Sequence, residues 1–319
     1  MRTLKFLSLL FVLFFIGCVN IIEDEPEYSL RGQVMVPNTE TFTLQNVVDA
    51  VKWHSPYTTN DLSSCFANAI PNFFDPSYNN DGYAPANSML RFRNYGAKNS
   101  IAITTTQNWI CPSGVTQIYV KVWGGGASGG GGGTGDYTGG GGGGGGAFIS
   151  AVGPVTPSGS YSMVVATVAS EVNQDQNGND GNLSQANFNS GQYIRAGGGL
   201  HGKAFINGGA GGAGGTSSKT LGITTSFSYV GGNGAAAGTF ANSGGGGGGA
   251  GDSSDGGNAS GITGGTGGTS GGGNGGNGTT AISGNGGFGS STGNGAAGGG
   301  ATKAGTSGRG MPGSIVIYY

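Results

Sequence analysis

The fold is decided by the stretch VTQIYVKVWGGGASGGGGGTG (115–135), in which a strand pattern breaks into a run of glycines. Before the break, apolar residues alternate with Tyr119, Lys121 and Trp123, as in a half-buried strand. The glycine field ends before a last strand pattern, SIVIYY (314–319). Glycine loses more backbone entropy on folding than any other residue, so the field is ordered only if its backbone is extensively hydrogen-bonded. Because strand patterns bracket the field, we predict an ordered domain.

The composition agrees with a folded, mainly β protein. All but five of the 75 glycines lie beyond position 123, and the chain of 319 residues has room for two domains. Charged residues make up only 9%, too few for a charge-driven disordered tail. The net charge of −2 gives no strong attraction to nucleic acid, so no nucleic-acid partner is expected. The aromatic residues lie mostly outside the longest glycine runs and provide material for a core.

The N-terminus has the features of a bacterial export signal. Arg2 and Lys5 precede an apolar run of eleven residues, too short to span a bilayer, which ends in FIGC with Cys18. This ending resembles the lipobox of bacterial lipoproteins, which implies that residues 1–17 are removed and that lipid on Cys18 anchors the protein at the outer membrane or cell surface. The alternative is an ordinary secretory signal with an incidental cysteine. Residues 18–34, rich in acids, predict a solvated tether.

Residues 35–98 differ from the rest in having few glycines and more large apolar residues. Thr43 is placed to cap a helix over 44–53, and Asp61 to cap a second helix over 62–70. We therefore predict a small α-rich module, near the lower size limit for independent folding. The same stretch resembles a module that precedes glycine-rich or β-domains in surface proteins of Bacteroidetes and phages, for which no chemistry is implied.

The remainder, residues 99–319, predicts an antiparallel β-sandwich. The strand candidates are 101–106, 115–123, 147–155, 161–168, 182–188, 192–198, 224–231 and 314–319. The segment QNWICPSG (107–114) is interpreted as a turn, and TPSGS is interpreted as the turn of a hairpin between 147–155 and 161–168. Short strands at this spacing are typical of a sandwich. We expect the first and last strands to pair and to clamp the glycine field.

Within the field, GGTGGTSGGGNGGNG (264–278) has a rough period of three with Thr, Ser or Asn as the outward residues. Polyproline II helices have three residues per turn and no internal hydrogen bonds. Without Cβ atoms such helices pack closely enough to exchange N–H···O bonds. We therefore predict a packed polyproline II bundle. Collagen is disfavoured because glycine does not hold one column and proline is nearly absent; a disordered linker is the remaining alternative.

Several motifs together resemble one family. The string WICPSGVTQIYVKVWGGG, the polyglycine run into AFISA, the YSMVV strand and the close GRGMPGSIVIYY are similar to the bacterial and phage glycine-rich domain, over Ile101–Tyr319. The resemblance implies a polyproline II sandwich like that of some phage tail-fibre adhesins, whose tip loops bind host receptors. This chain departs from many members in a long polar hairpin (168–184) and in lacking a second cysteine near Val122.

No catalytic or cofactor-binding constellation is present in the sequence. His54 and His201 lie in different regions, and no Ser–His–Asp motif, paired-acid signature or CxxC occurs. The run NQDQNG (173–178) begins like a calcium loop, but the twelfth position is Ser184 instead of Glu, so no metal is expected. The sequence also leaves open whether Cys65 and Cys111 form a disulfide or remain two buried thiols.

We therefore expect a non-enzymatic, adhesin-like lipoprotein with a surface glycan or protein as receptor. Loops 216–226, 233–243 and 252–263 are the predicted contact regions. The candidate ligand-contact residues are Phe227, Tyr229, Phe240, Asn242, Asp252, Asp255 and Phe288. One alternative is an architectural subunit of a coat, filament or phage-derived appendage that associates with its own copies. Another is ice or crystalline-surface binding, against which the irregular threonine spacing argues.

Overall fold

A computed structural model describes residues 33–39, 41–80, 83–238 and 241–319. The predicted signal, Cys18 and nearly all of the acidic tether lie outside the described residues, as does Phe240. Gln33, at the end of the predicted tether, is buried and lies against Gly96. Among the described residues the protein is mainly β, with two antiparallel five-stranded sheets and a small helical part at the N-terminal end.

The helices are α1 (Leu44–Lys52) and α2 (Leu62–Asn68), with 3₁₀ turns at Pro71–Phe73, Met89–Phe92, Asn189–Gly191 and Phe205–Asn207. The strands are β1 (Ser100–Ile103), β2 (Gln107–Ile110), β3 (Gln117–Trp123), β4 (Phe148–Pro154), β5 (Ser160–Val164), β6 (Ser184–Asn187), β7 (Tyr193–Ala196), β8 (Ser217–Lys219), β9 (Thr225–Tyr229) and β10 (Ser314–Tyr318). Sheet one has the order β1-β10-β3-β4-β9 and sheet two the order β2-β5-β6-β7-β8.

The predicted sandwich is confirmed, and so is the pairing of its ends. Strand β10 lies between β1 and β3, with Ser100 opposite Tyr318 and Ser314 opposite Trp123. The glycine field therefore leaves β3 and returns to the strand beside it. The core between the sheets contains the inward residues of β3 and β4 from sheet one and those of β5 to β7 from sheet two.

The predicted hairpin across TPSGS is wrong. Strand β4 pairs with β3 and β9 in sheet one, whereas β5 pairs with β2 and β6 in sheet two. The turn between them therefore crosses from one sheet to the other, and its end is bonded to the residue after β2: the Cys111 carbonyl accepts from the Ser158 N–H, and the Cys111 N–H donates to the Gly159 carbonyl. The segment predicted as a turn at 107–114 accordingly contains β2, and β8 is a further strand that the pattern did not predict.

The predicted helices are confirmed, and the module they belong to covers the outer face of sheet one. Thr43 and Asp61 cap α1 and α2 by accepting from backbone amides three residues on. The apolar side of the helices packs with Phe73, Phe92 and Tyr95 into a core that also includes Tyr119 and Tyr318 of sheet one. The sheet thus completes a hydrophobic core that so few residues would build poorly alone.

The two cysteines belong to different cores. Cys65 is buried in the core of the helical module and Cys111 in the core between the sheets. Both are free thiols. Burial raises the pKa of each thiol above its ordinary value, which makes both poor nucleophiles at neutral pH.

A buried histidine lies in the core of the helical module. His54 Nε2 is 2.9 Å from Tyr95 Oη, which also accepts from the Ile70 amide at 2.8 Å. Complete burial lowers the pKa of His54 to about 3, because the charged imidazolium loses its hydration. The native state therefore holds this residue neutral.

This burial predicts an acid-sensitive stability. In the unfolded chain His54 is protonated below pH 6.5, whereas in the folded chain it stays neutral down to about pH 3. The free energy of unfolding therefore falls by about 1.4 kcal/mol per pH unit as the pH is lowered across that window. The substitution His54→Gln should flatten the urea-unfolding free energy measured between pH 6.5 and 4.5. The control is Leu221→Gln, a substitution at an exposed position that carries no titrating group, which should leave the slope as in the wild type. Equal slopes in wild type and His54→Gln would contradict the assignment.

The glycine field is an ordered bundle with a period of three. In segment 139–147, the N–H groups at 140, 143 and 146 donate to segment 295–301. Those at 141, 144 and 147 donate to 197–203, and those at 142 and 145 to 232–235, all at 2.8–3.0 Å. The segment returns to the same neighbour every third residue and makes no internal bond, which is the geometry of polyproline II. The predicted bundle is therefore confirmed.

Segment 139–147 lies at the centre of the bundle. Besides the three neighbours to which it donates, it accepts N–H bonds from 124–130, 212–215 and 244–250. Six neighbours around one helix is close packing, and every residue of the segment is buried. The backbone of this segment is thus hydrogen-bonded to six others, which offsets the entropy cost of ordering glycine.

The outer segments depend on polar side chains instead. Asn274 and Asn277, three apart, accept through Oδ1 from backbone amides of the adjacent 264–267 segment. Asp255 and Asn258 do the same for amides of segment 230–233, at 2.8 Å. At the bundle surface these side-chain oxygens accept the N–H bonds that backbone carbonyls of a neighbouring segment accept in the interior. The polar residues that recur every third position therefore lie where the bundle meets solvent.

The polar stretch 168–184 connects two paired strands, as expected, and most of its residues are exposed to solvent, but its second half is also bonded to the bundle. Its carbonyls at 176, 179 and 182 accept from the amides of Gly131, Ser128 and Gly125 at 2.9–3.0 Å. The threefold step shows that its second half packs as one more bundle segment.

Candidate functional site

The outer face of sheet one is where three of the seven predicted contact residues meet. Side chains alternate across a strand, so the residues of β3 that do not enter the core point to this outer face. Strand pairing then sets two rows across the sheet: Val316, Lys121, Ser150 and Phe227 form one, and Ser314, Trp123, Phe148 and Tyr229 form the other. The helical module covers one end of this face and leaves the other end open.

A pocket of about 500 Å³ lies on the open end. Its floor is sheet one, one wall is Trp53 at the end of α1, and the other wall is made by bundle turns. Its lining residues are Trp53, Tyr119, Lys121, Trp123, Phe227, Tyr229, Asp252, Ser253, Ser270, Gly271, Asn294, Ser314, Val316 and Tyr318. Three parts of the chain thus build one concave surface.

A buried ion pair lies in the pocket. Lys121 Nζ is 2.8 Å from Asp252 Oδ2, and the two side chains are only 6% and 18% exposed. The ammonium also lies 5.0 Å from the ring centre of Trp53 and 5.6 Å from that of Tyr318, within the range of cation–π attraction. The carboxylate and the rings replace the water that burial takes from the lysine.

The remaining polar groups are held in place by hydrogen bonds. Tyr119 donates to Ser150 Oγ at 3.1 Å, and burial raises the pKa of this phenol well above its ordinary value. Ser253 donates to Asp252 Oδ1 at 2.7 Å, so each carboxylate oxygen has one partner. An sp² oxygen has two lone pairs, so both oxygens keep acceptor capacity toward the pocket.

The structure divides the predicted contact residues among separate places. Phe227, Tyr229 and Asp252 share the pocket. Asp255 instead bonds the Val230 amide, and the Asn242 carbonyl accepts from Gly238 at the far end of the bundle. Phe288 lies on another face, where it is half-exposed and the guanidinium of Arg309 lies 4.7 Å from the centre of its ring. The seventh predicted residue, Phe240, is outside the described residues.

Sequence reasoning missed half of the pocket. The alternation of β3 indicated that Lys121 and Trp123 share the outer face, but that face was expected to meet solvent. Trp53 appeared only as the end of an amphipathic helix. A lysine among aromatic residues on an otherwise apolar strand was the signal available for a buried charge site.

A second surface is formed where the bundle segments turn back, at the end away from the sheets. Four of these turns, 134–138, 204–209, 260–263 and 279–284, are called the distal loops here. Asp136 pairs with Lys303, which neighbours the 279–284 turn through the Thr302 bonds. The carbonyl of Ile262 accepts from Gly278 at 2.7 Å, so the loops form one continuous end.

The distal loops expose apolar side chains. Tyr137 is 64% exposed, Ile206 63% and Ile282 52%, and the side chains of Phe205 and Ile262 are also open to solvent. Each of the four loops contributes at least one of them. The described parts of loop 233–243, a predicted contact region, are residues 233–238 and 241–243, and they reach the same end, whereas 216–226 lies beside the sheets.

Other sequence candidates have structural partners. His201 is 2.7 Å from Asp180 at the bundle surface. The described part of the chain contains no group of three His, Cys, Asp or Glu side chains placed to hold a metal. Within that same part, no helix has both the length and the apolar character needed to cross a bilayer.

An antiparallel sandwich whose neighbouring strands clamp a cross-bonded glycine bundle defines a glycine-rich domain. The family model described as a glycine-rich domain matches residues 101–319, and the chain belongs to this family. The match begins within β1 and includes the sandwich and the whole bundle. A search of the curated proteins finds no match.

Proposed function

We propose that this protein is a non-enzymatic, adhesin-like lipoprotein of the cell surface, which binds a surface glycan or protein receptor with its distal loops. The observation that carries the proposal is the set of exposed apolar side chains at the end of the bundle. Exposed apolar groups that cluster on a soluble surface mark sites of interaction, because leaving them in water costs free energy.

The rigid support of these loops favours the same function. The distal loops connect segments that are cross-bonded on several sides. Loops held in one conformation lose little entropy on binding, which leaves more of the interaction energy for affinity. A glycine bundle is thus a pre-organised platform for short loops.

The direction of the chain supports anchoring at the opposite end. The helical module contacts Tyr119 and Tyr318, which lie toward the ends of β3 and β10 that are farther from the bundle. Lipid on Cys18 and the acidic tether would therefore attach the protein at one end, with the distal loops directed away from the outer membrane. No nucleic acid, metal or cofactor is part of this proposal.

An architectural role is the second candidate, and one observation favours it. The outer bundle segments between 252 and 294 present an exposed, glycine-rich face on which another bundle would find little steric hindrance. In that case copies of the protein would associate side by side into a coat or filament.

One experiment tests the adhesin proposal. The full-length chain, purified in mild detergent and labelled, is titrated onto intact cells of several species and onto purified surface polysaccharides. Placing charge on the apolar end with the double variant Ile206→Asp/Ile282→Asp should weaken saturable binding at least about tenfold. The control is Leu221→Asp, since Leu221 is 98% exposed in the β8–β9 turn at the opposite end.

Binding that the double variant leaves unchanged would overturn the role of the distal loops. Absence of binding to every surface, together with concentration-dependent assembly in light scattering, would reject the adhesin function in favour of the architectural one.

A further inference from the structure

We propose that the pocket on sheet one is a second binding site, separate from the distal loops, and that it takes an uncharged pyranose sugar, either free or as a residue of a glycan. The pocket is built from side chains whose chemistry fits both faces of such a ring. The inference is independent of the adhesin proposal, because none of the pocket residues belongs to the distal loops.

The aromatic side chains of the pocket suit the apolar face of a sugar. Trp53, Phe227 and Tyr229 are each partly exposed, and all three line the pocket. Aromatic rings offer flat, rigid apolar surface at a low entropy cost. The C–H groups on one face of a pyranose pack against such rings, which carry a negative potential on their faces.

The polar side chains of the bundle turns suit its hydroxyl groups. Asp252 keeps acceptor capacity on both carboxylate oxygens, and Ser253, Ser270 and Asn294 add hydroxyl and amide groups around it. A pocket with apolar walls and a few fixed polar groups is the usual form of a small-molecule site. A hydroxyl donating to an ionised carboxylate makes one of the stronger hydrogen bonds.

The charge of the pocket argues for a neutral ligand. The carboxylate of Asp252 and the ammonium of Lys121 are 2.8 Å apart and compensate each other. A ligand carrying its own charge would have to compete with this pair or remain uncompensated in a partly dry site. A sugar without ionised groups neither competes with the ion pair nor places an uncompensated charge in the pocket.

The size and rigidity of the pocket are also suited to a sugar ligand. A volume of about 500 Å³ lies within the range of small-ligand sites and admits one or two sugar rings. Strand pairing fixes Lys121, Trp123, Phe227 and Tyr229 in register, so the site is present before the ligand arrives.

The test is a calorimetric titration of the full-length chain, in mild detergent, with methyl glycosides of glucose, galactose, mannose and N-acetylglucosamine. Tryptophan fluorescence is recorded in parallel, because Trp53 and Trp123 line the pocket. At least one glycoside should bind and shift the fluorescence, and methyl glucuronide, which is charged, should bind more weakly. The double variant Phe227→Ala/Tyr229→Ala should lower that affinity at least about tenfold.

The matched control is Phe288→Ala, which removes a half-exposed aromatic side chain from another face and should leave affinity unchanged. If the double variant fails to fold, Ser253→Trp at the exposed rim replaces it and should block the pocket by filling it. Lack of binding by all four glycosides, binding that survives these variants, or a preference for the glucuronide would each overturn the proposal. Binding of cells through the distal loops would be unaffected by any of these outcomes.

Discussion

Gly142→Ala should destabilise the protein by at least about 3 kcal/mol, and a larger side chain at this position should prevent folding. A Cβ at Gly142 would lie 1.9 Å from the carbonyl oxygen of Gly245 and 2.3 Å from its carbon. The obstacle is backbone, so no side-chain rotation relieves it. The segment around Gly142 has six bonded neighbours, and moving one away breaks N–H···O bonds to the others.

The control for this variant is Gly135→Ala in an exposed distal loop. There the nearest atom to a new Cβ is Thr138 Cγ2 at 3.3 Å, the end of a side chain. Its effect on stability should stay within about 0.5 kcal/mol. Urea unfolding followed by far-ultraviolet circular dichroism measures both. Two variants of equal stability would mean that the bundle is looser than its close packing indicates.

The order of the glycine field was predictable because it depends on what the sequence places at its ends. The alternation in 115–123 and the terminal strand 314–319 predicted two strands, and their position on either side of the field predicted a clamp. The period of three in 264–278 predicted polyproline II geometry, and the outward asparagines are the residues that cap amides at the bundle surface.

The assignment of strands to sheets was not predictable in the same way. TPSGS between two apolar runs is a good hairpin turn, and local propensity carries no information about which partner a strand prefers. In the structure β5 pairs with β2, and Cys111, which follows β2 and precedes the turn by about fifty residues, extends that pairing by bonding through its backbone to Ser158 and Gly159. The sequence TPSGS thus predicted a turn correctly, but the pairing of β5 with β2 and β6, and not with β4, is set by contacts distant in the chain.

The pocket was half predictable for a related reason. Phe227, Tyr229 and Asp252 were selected for residue type in the loops and strands of the field, and the structure brings these three together. Trp53 comes from the helical module, and nothing in its local pattern shows that the module packs on sheet one. The partner of Lys121 lies 131 residues further along the chain, beyond the reach of any spacing rule.

The ion pair in the pocket leads to the second large expected effect. Asp252→Ala should cost about 3 kcal/mol or more, because it leaves the Lys121 ammonium 6% exposed among three aromatic rings without a counter-charge. Lys121→Met should cost less, about 1 kcal/mol, since methionine keeps the apolar stem and the remaining Asp252 carboxylate is 18% exposed and reaches water.

A double-mutant cycle separates the two contributions. The variant Lys121→Met/Asp252→Ala removes both charges and should be more stable than Asp252→Ala alone, because the unpaired cation is what costs free energy. Urea unfolding at pH 7 gives the four free energies of the cycle. A double variant as unstable as Asp252→Ala would show that the aspartate acts by shaping the 252–255 turn instead of compensating the lysine.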